Sequence, residues 1–163
     1  MGQLTVENLF DDTSLTLEVG KATFGIDDDT LTIEVIFPKY YKSDDFEEDE
    51  ETGELINLPK DYWFKDSKSK LELELPISDF GNEIIGKEIF IDSENEDNED
   101  LTNFLIANTH YPTFDDKILI TKTNDKYLLK WSGLLPDIKN SRYEIYMKTM
   151  FKFSLETECE QID

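Results

Sequence analysis

Tyr143-Glu144-Ile145-Tyr146-Met147-Lys148-Thr149-Met150-Phe151-Lys152-Phe153-Ser154-Leu155 is the stretch that decides the fold. One parity carries Tyr143, Ile145, Met147, Thr149, Phe151, Phe153 and Leu155. The other carries Glu144, Tyr146, Lys148, Met150, Lys152 and Ser154 and is mostly polar. Successive side chains of an extended chain point to opposite faces, so this alternation predicts a half-buried strand. A strand of this length crosses a whole sheet and must bend.

The same period recurs outward from there. Leu15, Leu17 and Val19 share one parity, and after Gly20 the apolar parity switches to Ala22, Phe24 and Ile26. A one-residue shift at a glycine predicts a β-bulge in a long strand. Asp27-Asp28-Asp29 then forms a hairpin tip, and Leu31, Ile33, Val35 and Phe37 return from it as far as Pro38. Asn124-Asp125 makes a second turn, because both residue types tolerate positive φ. Centring the turn there sets Ile120 opposite Leu129 and Ile118 opposite Trp131. Leu71, Leu73 and Leu75 alternate with Glu72 and Glu74, and Lys87 to Ile91 is a shorter strand. Leu101, Phe104, Leu105 and Asn108 fit one helical face behind Asn98, which predicts a short helix near 98–107. The expected fold is all-β: a two-sheet antiparallel sandwich of about eight strands, with a barrel as the alternative.

The chain has 163 residues, enough for one domain spanning 1–163, and its 38% hydrophobic and 12% aromatic content supports a core. Cys159 is the only cysteine, so no intramolecular disulfide or cysteine-based metal cluster can form. No basic n-region or apolar core of a signal peptide opens the chain, and no stretch reaches the roughly 20 apolar residues of a membrane span. Met1-Gly2 lacks the downstream Ser or Thr of a myristoylation site, since Val6 stands there. The expected location is cytoplasmic.

The formal net charge is -22, and its distribution is uneven. Asp27 to Asp29, Asp44 to Glu51, Asp92 to Asp100 and Glu156 to Asp163 hold 3, 7, 6 and 4 acids and no Lys or Arg. Outside them, 18 acids face 16 bases, so the remainder is nearly neutral. Charge gathered in loops can define a binding face, whereas charge spread evenly mainly aids solubility. Two of these segments are loops, a long one over 40–62 and a shorter one over 92–100.

Acidity excludes nucleic acid as a partner. Arg142 is the only arginine, and a phosphate backbone would be repelled. His110, the only histidine, cannot build a histidine-rich zinc site, and there is neither a phosphate-binding glycine loop nor a nucleophile elbow. Cys159 sits between Glu158 and Glu160, which oppose thiolate formation. Glu34, Glu72, Glu74 and Glu144 are the strand carboxylates a glycoside hydrolase would need, although they also read as solvent-facing members of alternating strands. Clustered oxygens at Asp27 to Asp29 and at Asp92, Glu94, Glu96 and Asp97 raise Ca²⁺ as a ligand of an adhesion or adaptor domain. The run lacks the order and the glycine of an EF-hand loop, so no cofactor is assigned.

The remaining reading is a non-enzymatic inhibitor that engages a basic protein. Its candidate partner-binding residues are Asp44, Asp45, Phe46, Glu47, Glu48, Asp49, Glu50, Glu51 and Trp63 in the long loop, and Asp92, Glu94, Glu96 and Asp97 in the second. The acids steer, and Phe46 and Trp63 supply aromatic anchors. In composition alone, such a small acidic binding protein resembles the immunity proteins that neutralise nuclease toxins in bacterial competition. That resemblance implies a basic, toxin-like partner and no membrane contact, and it leaves oligomeric state open.

Overall fold

The computed structural model describes residues 2–10, 13–38, 47–52, 55–56, 69–78, 83–98, 100–106, 109–138 and 149–163. These residues form thirteen strands and one 3-10 turn. The strands are β1 Gln3–Phe10, β2 Thr13–Glu18, β3 Lys21–Asp27, β4 Thr30–Ile36, β5 Glu47–Glu48, β6 Leu55–Ile56 and β7 Lys70–Pro76. They continue with β8 Glu88–Ile91, β9 Thr102–Ile106, β10 Thr109–Tyr111, β11 Phe114–Thr123, β12 Lys126–Pro136 and β13 Met150–Ile162. Among the described residues, no helix is long and apolar enough to cross a membrane.

The fold is all-β, but its strands do not separate into two sheets. Eleven of them join one hydrogen-bonded network whose main path is β10-β9-β7-β4-β3-β13-β12-β11-β8, while β5 and β6 pair only with each other. β13 makes this possible. Along one edge it pairs with β12 from Met150 to Cys159. Along the other it pairs antiparallel with β1 over Ser154 to Glu156 and Phe153, then parallel with β3 over Glu160 to Ile162. One long strand therefore serves both halves of a curled, open sheet. Of the stretch that predicted it, 143–148 lies outside the described residues. Beyond Leu155 the alternation continues inward through Thr157 and Cys159, both buried. The supposed acidic tail is thus the end of the central strand.

The inner faces of the two halves share one core. Leu4, Val6, Leu129, Trp131 and Phe153 belong to the same buried cluster as Phe24, Ile33, Leu71, Leu73 and Phe104. Phe24 of β3 meets Tyr127 of β12 edge-on at 5.0 Å. Leu4, Val6, Leu135 and Phe153 line a narrow internal gap together with Leu71 and Phe104.

Both predicted hairpins form. Thr123 pairs with Lys126, Ile120 with Leu129 and Ile118 with Trp131. At the first tip, Asp28 and Asp29 adopt φ of 43° and 61°, the left-handed values a tight hairpin turn needs. Two expectations are corrected. Gly20 is not a bulge within one strand: β2 pairs with β1, whereas β3 pairs with β4 and β13, so the parity switch marks the chain passing between the halves of the sheet. Pro38 lies 3.1 Å from where a Gly20 Cβ would stand, which accounts for glycine there. The short helix expected near 98–107 is strand β9, paired with β7 through Thr102–Leu73 and Phe104–Leu71. Thr102 and Phe104 are both buried with period two, and that outweighs the helical spacing of Leu101, Phe104 and Leu105.

Candidate functional site

The acidic run after β8 is folded by its own side chains. Asp92 Oδ1 accepts from the Glu94 backbone N at 3.0 Å, and the Asp92 carbonyl accepts from Asn98 Nδ2 at 2.9 Å. Asn95 Oδ1 accepts from the Asp97 N at 3.0 Å, leading into the 3-10 turn Glu96–Asn98. Asp92 therefore shapes the loop, while Glu94, Glu96, Asp97 and Asp100 stand exposed. Ser93 ties the loop to β11: its Oγ donates to Asp115 Oδ1 at 2.9 Å and accepts from the Asp115 N at 2.5 Å.

Between this loop, β9 and the link from β10 to β11 lies a cleft of about 720 Å³. Glu94, Glu96 and Asp100 line its acidic side, with Asn103 and His110 across from them and Thr102 and Thr113 among its deeper residues. Asn103 Nδ2 and His110 Nδ1 are in hydrogen-bonding contact.

Beneath the cleft lies a carboxylate with no solvent exposure. Asp116 is 0% exposed. Its Oδ1 accepts from Trp131 Nε1 at 2.6 Å, and Thr113 Oγ1 is 2.9 Å from both of its oxygens. Thr102 Oγ1 lies 3.3 Å from Asp116 Oδ2 and 3.1 Å from the Thr113 carbonyl. Regular alternation with Ile118 and Ile120 turns Asp116 inward, and a bulge lies just before it. The register of β11 against β12 shifts between Phe114 and Lys117, and Asp115 takes φ of 50°. Opposite the bulge, Gly133 has no room for a side chain, since a Cβ there would lie 2.9 Å from the Phe114 carbonyl and 3.0 Å from Asp116 Oδ1. Burial raises the Asp116 pKa to about 6 against three hydrogen bonds that lower it, and Asp115 adds to the rise.

The sequence contained a sign of this group. Asp116 shares its parity with Ile118 and Ile120, so it is a carboxylate in a core position of a predicted strand.

The predicted partner-binding residues are only partly brought together. Asp44, Asp45, Phe46 and Trp63 lie outside the described residues. Glu47 and Glu48 form β5, which pairs with Leu55 and Ile56. Asp49 organises the turn that follows, its Oδ1 accepting from the N of Glu51 at 2.9 Å and of Thr52 at 2.8 Å, and Glu50 and Glu51 are exposed. Asp92, Glu94, Glu96 and Asp97 sit in the loop of the cleft.

Other acidic stretches converge with that loop. The Asp29 carbonyl accepts from Ile77 N beside β7, and the Leu101 carbonyl accepts from Glu74 N on the opposite edge of β7. Asp29 at the tip is therefore two strand spacings, on the order of 10 Å, from Asp100, and Asp27 on β3 is one spacing further. Ile162 pairs with Gly25, which sets Asp163 beside the same tip. One rim thus carries Asp163, Asp27 to Asp29 and Asp100, and it continues into the loop of Glu94 and Glu96.

The strand acids are occupied differently. Glu158 meets Lys126 at 2.9 Å, Glu156 meets Lys130 at 3.2 Å and Glu160 meets Lys21 at 3.7 Å. The hydrogen bond from Lys126 holds the Glu158 carboxyl below its usual range. Glu34 and Glu72 face each other across β4 and β7 and share the Lys70 ammonium, whose pKa is raised chiefly by its hydrogen bond to Glu72. Glu144 lies outside the described residues. No three of His, Cys, Asp or Glu among the described residues are placed to hold a metal ion, so the Ca²⁺ reading finds no site there.

No family model matches the chain, and neither a curated protein nor a solved structure is significantly similar to it.

Proposed function

We propose that the protein is a non-enzymatic binding protein whose acidic rim and cleft engage a basic protein. The observation that carries this reading is the division of the negative charge. Strand carboxylates are matched by Lys21, Lys70, Lys126 and Lys130, whereas Asp27 to Asp29, Asp100, Glu94 and Glu96 gather on one rim with no ion pair to a lysine among the described residues. Such a field speeds association with a cationic surface and rejects anionic partners. The concave cleft beside it offers room for a projecting basic side chain. In its sharpest form the reading makes this an immunity-type inhibitor that occludes the cationic cleft of a nuclease-like toxin.

A hydrolase is the weaker reading, because the facing pair Glu34 and Glu72 is joined by a shared lysine rather than set across a substrate groove. The deciding experiment purifies the chain with a candidate basic protein, taken from any such reading frame found beside its gene, and measures association by stopped-flow at several salt concentrations. Replacing Asp27, Asp28, Asp29 and Asp100 by Asn is expected to slow association about tenfold and to flatten its salt dependence. An unchanged rate removes the rim from the interface.

A further inference from the structure

The order of strands places β9 and β11 six steps apart in the sheet, yet their side chains meet. Thr102, at the start of β9, reaches Asp116 of β11 and the Thr113 carbonyl just before that strand. This contact closes the seam of a sheet that backbone pairing leaves open.

We propose that Asp116, Thr102, Thr113 and Trp131 form a proton-operated clasp across this seam, in which Thr102 donates to Asp116 when the carboxyl is ionised and to the Thr113 carbonyl when it is protonated, and that it sets the shape of the cleft above. The proposal stands apart from the binding reading and needs no partner.

The hydrogen-bond count supplies the mechanism. Thr102 has one hydroxyl proton and two acceptors within reach, Asp116 Oδ2 and the Thr113 carbonyl. When Asp116 is ionised, its oxygens only accept, so the Thr102 proton is drawn to Oδ2 and the Thr113 carbonyl loses it. When Asp116 takes a proton from solvent on Oδ2, Oδ2–H donates to the nearer hydroxyl, Thr113 Oγ1 at 2.9 Å, the protonated oxygen becomes a poor acceptor, and the Thr102 proton turns to the Thr113 carbonyl. Protonation thus exchanges a side-chain link between β9 and β11 for a side-chain-to-backbone link between β9 and the entry to β11. Trp131 donates to Oδ1 in both states.

Burial also favours the neutral form, and the raised pKa of about 6 brings the transition into an accessible range. The elements around the carboxyl bring Glu88 and Asp92 on β8 and its loop, Asp100 before β9, His110 on β10, Asp115 and Lys117 on β11, and Lys130 on β12. Asp115 is the charge that acts on it, and it pushes the same way as burial. Thr102 and Thr113 line the cleft as well as the clasp, so the change is transmitted upward.

The test is an NMR titration of the full chain from pH 4.5 to 8, in an H110Q background so that no histidine titrates in the cleft. The Trp131 indole N–H and the backbone amides of Glu94 and Asn103 are followed, with a Trp63→Phe variant identifying the indole signal. The expected result is one shared midpoint near 6. In D116N the shared transition is lost. In T102V the indole still titrates while the cleft amides cease to follow, and this variant carries the test should D116N fail to fold. Cleft amides that stay still while the indole titrates, or that titrate unchanged in T102V, overturn the proposal.

Discussion

Trp131 donates its indole N–H to Asp116 at 2.6 Å, and both residues are buried where β11 bulges against β12. A charge-assisted hydrogen bond of this kind stabilises an ionised carboxylate, yet burial outweighs it and leaves the group with a raised pKa. The pair therefore couples core packing to pH.

That coupling has a definite sign. A carboxyl that binds its proton more tightly in the folded state contributes stability fully below its unfolded value near 3.8, and this contribution is lost as pH rises through about 6. A shift of about two units corresponds to roughly 3 kcal/mol. Urea unfolding of the wild type and of D116N is expected to show a stability difference that drifts by that order between pH 4 and 7 in favour of the variant. The comparison cancels the titration of the other acids. A difference that stays flat with pH would show that Asp116 is ionised throughout.

Removing the donor moves the same group further. W131F takes away the strongest of the hydrogen bonds that lower the Asp116 pKa and leaves a smaller ring in a packed site. The expected cost is about 2–4 kcal/mol, from lost packing and a less satisfied buried acceptor. The Asp116 midpoint should rise, which the carboxyl carbon shift in a ¹³C NMR titration reports directly. A stability loss with an unmoved midpoint would reduce Trp131 to a packing role.

Gly133 offers a purely steric check. Its missing side chain faces the Phe114 carbonyl at 2.9 Å and Phe153 Cε1 at 3.0 Å, and neither a backbone carbonyl nor a core ring yields cheaply. G133A is expected to lose about 1–3 kcal/mol in chemical denaturation. Because a Cβ at position 133 would also lie 3.0 Å from Asp116 Oδ1, the variant should disturb the pH dependence as well, whereas a change at the exposed Gly86, which strains a φ of 82° but meets no atom within 4 Å, should leave the pH dependence intact.

These residues also show how far the sequence could be read. Period two found β4, β7, β11, β12 and the core of β13, because each buries one face. The Asn124-Asp125 turn fixed a register that the structure reproduces at Ile118 and Trp131. Alternation does not say which strands share an edge, so nothing before the structure indicated that β13 would pair with both β1 and β3 and merge the expected sheets. Acidic composition hid the last turn of that argument: Glu156, Glu158 and Glu160 read as a tail, although Thr157 and Cys159 kept the alternation going. For β9, five residues carry too few periods to separate helix from strand. In the candidate site, the run Asp92 to Asp97 was visible as charge, while its neighbours across the cleft, Asn103 and His110, depend on pairing between β9 and β10 that no local pattern records.

Cys159 tests the interior end of β13. It is buried and faces Tyr127 in the register, and burial pushes its thiol up to about 11 from 9.0. The thiolate fraction at a given mildly alkaline pH falls by about two orders of magnitude for such a shift. Labelling by iodoacetamide at pH 8 should therefore be at least about 100-fold slower in the folded protein than in urea. Rapid labelling of the native chain would mean that the end of β13 frays from β12 and β3.

Salt should separate the acidic rim from the paired strand face. Exposed ion pairs such as Lys126–Glu158 weaken as salt screens them, which lowers stability slightly. Repulsion among Asp27, Asp28, Asp29, Asp100 and Asp163 is screened as well, and that raises stability. With a net charge of -22 the second effect dominates, so the melting temperature of the wild type should increase as NaCl rises from about 10 mM to 0.5 M. Asn tolerates the positive φ that Asp28 and Asp29 adopt, so replacing Asp27, Asp28, Asp29 and Asp100 by Asn keeps the turn while removing four charges. In that variant the melting temperature should start higher at low salt and climb less. Equal salt slopes for variant and wild type would place the repulsion elsewhere on the surface and weaken the case for the rim as the molecule's concentrated negative face.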